Sequence, residues 1–386
     1  MQTADVVIVG GGIVGASIAW HLTEAGCKNV LILEREAHQG KGSTGRSMGG
    51  VRAQFATKPN IQMSLYSIPF YAAFEERLGL PSEYRSQGYL FVATKPSHLQ
   101  YLETNQKLQH ALGLAQARMV TRDDICTMVP QLRSDDILGG SFCPTDGFVD
   151  PYSVMNAFTE RACERGALIW RSCEATGIMR EGGRISSVET TRGPVSTHIV
   201  VNAAGPWARQ VAALASADLP VEPLRRQLVP TEPFDRVSHA IPMVVDMSTG
   251  FHFRPESLGF LLAWADPGET PGFKFDFEPS FIEKVLTLAA DRVPCFENLA
   301  VNPKRAWAGL YEMSPDHHAI IGPAEDVAGF FCANGFSGHG VMHAPATGRI
   351  VCDLILRGKT EVVNDVEVLS PARFAKGALL HETAVL

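Results

Sequence analysis

The stretch Asp5-Val-Val-Ile-Val-Gly-Gly-Gly-Ile-Val-Gly15, followed downstream by Leu31-Ile-Leu-Glu34, decides the fold. Val6 to Val9 is an unbroken apolar run with β-branched bias, the signature of a strand buried on both faces of a parallel sheet. Gly10, Gly12 and Gly15 follow it as G-x-G-x-x-G. The first permits a tight turn, the second lets backbone approach a pyrophosphate, and the third lets a helix pack closely on the strand. Ile13, Ala16, Ala19 and Leu22 share one face of a predicted helix that Gly26 ends. A second buried strand, Val30 to Leu33, delivers Glu34, whose carboxylate can accept from both hydroxyls of a ribose. With every part in order, the segment predicts a βαβ unit carrying a dinucleotide. The alternative is a tight structural turn in an ordinary βαβ unit.

A chain of 386 residues suffices for two or three domains around a large core. Hydrophobic residues at 45% and charged residues at 19% give the balance of a globular protein. The net charge of −7, with no dense Lys/Arg block, argues against nucleic acid as a partner. No basic residue precedes Lys28, and no apolar run approaches the roughly 20 residues of a spanning helix. Neither a signal peptide nor a membrane span is therefore expected, and the chain reads as cytoplasmic. The eight cysteines form no C-x-x-C pair and sit mostly in apolar company. They read as buried, reduced thiols and not as disulfides or a metal cluster.

Gly40-Lys-Gly-Ser-Thr-Gly-Arg-Ser-Met-Gly-Gly-Val-Arg-Ala-Gln-Phe55 combines glycine, hydroxyls and two arginines. Such a segment can wrap a diphosphate and a ring system with backbone amides, or it can be a flexible surface loop. Asn60 to Leu78 is predicted as one amphipathic helix, with Ile61, Leu65, Ile68 and Phe74 inward and Gly79 and Pro81 ending it. Residues 86–145 leave the βαβ style. A helix from Tyr152 to Arg165, a strand from Ala167 to Arg171 and hairpin strands over Glu174 to Ile178 and Arg184 to Thr191 follow. His198-Ile-Val-Val-Asn-Ala-Ala-Gly-Pro-Trp207 is another buried strand ending in small residues, as needed where backbone nears a cofactor or where a helix packs tightly on a strand. Residues 220–300 alternate short strands with Pro/Gly turns and predict an antiparallel sheet. The first style returns with Trp307-Ala-Gly-Leu-Tyr311 and Phe330-Phe-Cys-Ala-Asn-Gly-Phe-Ser-Gly-His-Gly340, ahead of a helix starting near Val341 and stopped by Gly358. The expected fold class is α/β. Residues 1–85, 146–219 and 301–386 form a discontinuous Rossmann-like domain, and 86–145 with 220–300 form an α+β substrate domain on an antiparallel sheet.

These blocks span nearly the whole chain, and in this order they resemble the flavin-dependent D-amino-acid oxidase superfamily. The branch is that of sarcosine oxidase, glycine oxidase and the β subunits of dye-linked proline or opine dehydrogenases. The resemblance implies FAD in the discontinuous domain, with an amino-acid or amine substrate between it and the antiparallel sheet. Cofactor contacts then fall on Gly10, Gly12, Ile13, Val14 and Gly15, and on Glu34 and Arg35. Ser43, Thr44, Arg46, Ser47, Met48 and Gly49 are implied from the second glycine segment, with Ala175 beside them. Ala203, Ala204, Gly205 and Trp207 follow, then Gly309, and finally Gly335, Phe336, Ser337, Gly338, His339 and Gly340. No metal is expected. The last loop precedes a helix whose N-terminal amides carry partial positive charge, suited to the negative N1–C2=O edge of a reduced flavin.

Departures from the family pattern are informative. Gly309 stands where sarcosine oxidases tether the flavin through cysteine, which implies non-covalent FAD. Tyr311 stands where glycine and D-amino-acid oxidases carry the arginine for the substrate carboxylate. That leaves Arg52 in this role, as in the sarcosine branch, while the lysine expected after Gly-His-Gly is Met342. Leu261 matches the lysine that serves oxygen above the flavin, implying another electron acceptor or a partner subunit. Arg52, Tyr311 and His339 are thus the candidate catalytic residues, with His339 lining the flavin or fixing its loop. His252, His317 and His318 read as surface or packing residues. The implied function is oxidation of the C–N bond of an amino acid, secondary in kind (N-methyl, cyclic or opine-type), by hydride transfer to flavin N5, giving an imine. The other readings are a primary-amine oxidase of the glycine oxidase kind and a flavin-bearing subunit with little activity of its own.

Overall fold

In the computed structural model, which describes residues 2–384, the Val6–Val9 strand lies inside a six-stranded sheet. The order is Ile320–Pro323, Phe330–Asn334, Val200–Asn202, Val6–Val9, Val30–Leu33, Leu168–Trp170, parallel throughout except for the first pair. The continuous apolar run follows from burial on both faces. Val6 and Ile8 pack with residues of the helices Ile13–Glu24, Pro151–Glu164 and Gly340–Arg357. Val7 and Val9 pack instead with the hairpin Ala175–Glu181 and Arg184–Thr190 and the helix Ala208–Leu214. The Ile13 and Gly340 helices lie side by side, and Ser17 Oγ donates to the Ala344 carbonyl at 2.8 Å.

The helix predicted over Asn60 to Leu78 is two helices, Lys58–Ala72 and Phe74–Leu78. Pro69, which has no N–H to give, is accommodated inside the first helix, and the chain resets at Ala73, which leaves helical geometry at φ −99°, ψ 16°. Gly79 ends the second piece in the left-handed region, φ 66°.

An eight-stranded sheet forms the second layer. Its order is Trp307–Met313, Glu222–Pro230, Gly259–Trp264, His252–Glu256, Met243–Asp246, Tyr89–Ala93, Gly139–Cys143, Arg118–Val120. The pairs are antiparallel save Met243–Asp246 with Tyr89–Ala93, a parallel pair that short-strand patterning does not reveal. The expected boundary at 301 falls one strand early. Trp307–Met313 pairs with Glu222–Pro230 from Glu222 opposite Met313 to Leu228 opposite Trp307, so it belongs to the larger sheet. One face of this sheet buries Leu90, Val92, Phe253, Phe260 and Leu262 under the helix Ser280–Arg292. The other presents Tyr89, Met243, His252, Ala263, Arg226 and Tyr311 to the carboxyl ends of the six-stranded sheet, where ligands bind in open α/β folds. All eight cysteines are unpaired, four buried and four half-buried. Among the described residues no helix is long and apolar enough to cross a membrane, and no cluster of His, Cys, Asp or Glu could hold a metal ion.

Candidate active site

A cavity of about 890 Å³ runs from the glycine turn after Val9 to the face of the eight-stranded sheet. At its floor Gly10 adopts φ 112°, and an added Cβ would lie 2.3 Å from the Ala203 carbonyl oxygen. Only glycine lets the two parallel strands close here. Glu34, at the end of its strand, is fixed by the Gly11 amide (3.2 Å) and the Glu36 amide (2.9 Å). Burial pushes its carboxyl up against the pull of those amides. Ile13 N–H donates to Thr44 Oγ1 at 3.0 Å, while the Val14 and Gly15 amides find no protein acceptor among the described residues. At the opposite wall the Gly340, Val341 and Met342 amides of the Gly340 helix are likewise without one. Two helix N-termini with free donors thus face one cavity, a charge pattern made for anionic groups.

The second glycine segment forms the roof. Ser43 Oγ donates to the Leu310 carbonyl at 2.6 Å, Arg46 to the Ala308 carbonyl at 2.7 Å, and Trp307 Nε1 to the Arg46 carbonyl at 3.0 Å. The segment lies so close on the strand that a Cβ at Gly309 would meet the Arg46 Cβ at 2.9 Å. Trp207 stacks on Phe275 and Phe273 at the cavity's outer end, under the Arg35 guanidinium at 4.3 Å. A Cβ at Gly338 would strike the Tyr311 ring at 2.4 Å, so this tyrosine packs flat on the Gly335–Gly340 loop. Ser337 sits there at φ 50°, held by its amide on the Glu312 carbonyl (3.0 Å) and its hydroxyl under the Ser314 amide (3.1 Å). Beside it the Glu312 carboxyl is pushed up to about 8 by burial, although the Gly335 and Phe336 amides work against that.

Two arginines face the inner end, and neither has a carboxylate partner among the described residues. Arg52 is fully buried, stacked on Phe55 at 3.9 Å, and donates to the carbonyls of Gln54 (2.7 Å) and Ala384. Its Nη2 also lies 3.4 Å from His339 Nε2. His339 is held neutral, well below the usual imidazole value, by burial and then by the Arg52 charge. Arg226, on the neighbouring wall, holds its guanidinium 5.2 Å from the Tyr311 ring centre. Its buried Nε has no partner, and its one protein hydrogen bond is a 3.3 Å contact to the Arg225 carbonyl. His252 is buried and neutral, its pKa lowered to about 4 chiefly by burial. Its Nδ1 lies 2.9 Å from the Gly250 carbonyl, so the ring proton sits on Nδ1 and Nε2 is a bare acceptor.

Most of the expected site residues do line this cavity, from Gly10, Gly12, Ile13 and Val14 through Ala175 and Trp207 to His339 and Gly340. Gly15, Gly49 and Gly335 do not. A Cβ at Gly15 would lie 2.0 Å from the Gly10 carbonyl oxygen and one at Gly49 2.3 Å from that of Val149, while Gly335 needs φ 68° to turn its amide onto Glu312. Each serves the backbone behind the wall. His252, expected to be a surface or packing residue, is part of the wall. His318 is buried and bonded to Thr57 Oγ1 at 2.9 Å. Leu261 packs under Met48 with Leu228 and Trp307, and the cavity residues on its strand are Ala263 and Trp264. The sheet brings a cation to that wall through Arg226, which Leu261 itself does not supply. Arg226 and His252 carry no sequence motif; only the pairing of three strands brings them to one wall.

Residues 5–354 match the family described as FAD dependent oxidoreductase. The chain is 33% identical, over an alignment of 411 residues, to the FAD-dependent oxidoreductase domain-containing protein 1 of Xenopus laevis, covering 94% of this chain and 81% of that protein. It is 29% identical to the mitochondrial dimethylglycine dehydrogenase of Homo sapiens, over 97% of this chain but only 44% of the relative. Among solved structures, the L-proline dehydrogenase from P. horikoshii superposes with a TM-score of 0.92 at 32% identity, covering 98% of this chain and all of that one.

Proposed function

The chain belongs to the FAD dependent oxidoreductase family, and on that premise we propose that it oxidises the C–N bond of a small amino acid whose nitrogen is secondary, N-methylated or cyclic. One observation carries the substrate class: Arg52 and Arg226 end at the inner cavity with no acidic partner among the described residues, so the site favours an anion. Proline and dimethylglycine, the compounds named in two relatives, are carboxylates with substituted nitrogens.

The residues present fit FAD. Free amides at the Ile13 and Gly340 helices suit the pyrophosphate and the electron-rich flavin edge, and Glu34 suits the adenosine ribose. When bound, FAD supplies the redox chemistry by taking the hydrogen and electron pair lost from the substrate carbon. The chain's own part is binding and proton control. His252 Nε2 accepts a hydrogen bond from a substrate N–H and fixes the nitrogen's position, while the Arg52 and Arg226 charges disfavour an ammonium and so favour the neutral amine, the form that can release an electron pair. His339, kept neutral beside Arg52, adds no second positive charge to the loop. Phe336, Tyr311 and the roof segment exclude water, which strengthens every electrostatic contact inside. Mixing the holoenzyme anaerobically with a panel of amines is expected to bleach its yellow colour fastest with secondary amino acids. Bleaching by primary amines alone would favour the glycine-type reading, and none at all a subunit that works through a partner.

The flavin is expected to be non-covalent, because the site of a cysteine tether is closed by Arg46 at Gly309. Acid precipitation should release the colour into the supernatant; colour kept in the pellet contradicts this.

A further inference from the structure

We infer that Arg226, and not Arg52, anchors the substrate carboxylate, from the sheet wall of the cavity between Tyr311 and Ala263. The inference rests on the amino-acid reading above and adds which residue selects for the acid group.

The buried arginines outside the cavity are each matched to a carboxylate. Arg292 holds Asp136 and Asp246, Arg373 holds Asp316, and Arg254 holds Glu256. Arg226, half-buried in the cavity wall, has no such partner among the described residues. The acids nearest in charge are committed elsewhere: Glu269 binds Arg225 at 2.6 Å and Lys274 at 2.7 Å, and Asp266 binds Lys284 at 2.8 Å. Its Nε has no partner and its guanidinium makes a single 3.3 Å contact, so it keeps donors that suit a carboxylate. Arg52 lacks that freedom, since two main-chain carbonyls and the Phe55 face already take its guanidinium.

The register supplies the room. Leu228 pairs with Ala263, which pairs with His252, and Arg226 stands one pleat along from Leu228 on the same face. Strand spacing puts the Cα atoms of Arg226 and His252 roughly 12 Å apart across the small Ala263. An arginine side chain reaching inward narrows that gap to the length of a small amino acid. Carboxylate at Arg226 and nitrogen at the His252 acceptor then define the two ends of one substrate. Tyr311, whose ring packs on Gly338, is the floor beneath the guanidinium and fixes its position relative to the Gly335–Gly340 loop.

The test is to titrate the holoenzyme with tetrahydro-2-furoate, a cyclic carboxylate without the amine, and with its uncharged amide, following the flavin absorbance. Arg226→Met should retain FAD and weaken the carboxylate about ten- to a hundredfold, leaving the amide unchanged, with Arg226→Lys intermediate. Equal weakening of both ligands, unaltered carboxylate binding, or loss of FAD from both variants would each overturn the assignment. The Lys variant keeps the test open should the Met variant fail to fold. If wild-type enzyme binds neither ligand and no amino acid bleaches it, the amino-acid reading fails as well. If wild-type enzyme is bleached normally and the Met variant binds carboxylate as tightly, only the assignment to Arg226 falls.

Discussion

Replacing Gly10 by alanine is expected to yield protein isolated without FAD. The added methyl would lie 2.3 Å from the Ala203 carbonyl oxygen and 2.7 Å from its carbon, and both atoms are backbone of a buried strand. The clash can be relieved only by parting Val6–Val9 from Val200–Asn202 at the carboxyl ends, where the cavity floor lies. Gly10 also has φ 112°, where an L-residue is strained whatever the space. Gly26→Ala is the control, since Gly26 has φ 93° but nothing within 4 Å of the added carbon. It should lose about 1–2 kcal/mol of stability and keep its flavin. Flavin content per chain, read from the absorbance spectrum, decides the matter. A fully yellow Gly10→Ala protein would remove the first glycine from the cofactor cradle.

The second large effect is expected at Arg373. Its guanidinium forks onto Asp316 at 2.8 and 2.9 Å, both side chains are buried, and it also holds the carbonyls of Leu369 and His318. Removing one partner leaves an uncompensated buried charge, so Arg373→Met should lower stability by about 3–5 kcal/mol, measured by chemical denaturation of the holoenzyme. Loss within 0.5 kcal/mol, the usual range for surface changes, would contradict it. Burial raises the Asp316 carboxyl, but the hydrogen bonds and charge of Arg373 more than reverse this and hold it low. The pair's contribution is therefore present above the ordinary aspartate value of about 3.9 and is lost as pH falls through the folded value below it. Wild-type stability should drop in that acid window, and Arg373→Met should be flatter across it. Because Ser314, two residues from Asp316, braces Ser337, the change should also loosen FAD.

What the sequence reveals and what it hides follow from distance along the chain. Val6 to Glu34 is readable because strand, turn, helix and strand are contiguous and each obeys a local rule. The Gly340 helix is readable from Gly358 for the same reason. Gly139–Cys143 gives no such signal. Gly139, Gly140 and Ser141 have poor strand propensity, and the strand exists because Tyr89–Ala93 and Arg118–Val120 pair with it on either side. Trp307–Met313 shows its local character but not its partner, hence the misplaced boundary. Arg226 and His252 are invisible as site residues for a related reason. A lone arginine and a lone histidine in a strand acquire meaning only when three strands are set side by side.

The Ser17 hydroxyl on the Ala344 carbonyl spans 327 positions of chain, and the floor and far wall of the cavity are as widely separated. A ribosome adding roughly 5–20 residues per second delivers the first half of the cradle on the order of half a minute before the second. During that interval Val200–Asn202, the strand beside Val6–Val9, lacks its Phe330–Asn334 neighbour, and the Ile13 helix lacks its Gly340 neighbour. The nascent amino-terminal segment is therefore an unfinished sheet with apolar edges and depends on being kept from aggregation. Cofactor capture becomes the closing event of biogenesis, so flavin supply should govern how much newly made chain escapes degradation.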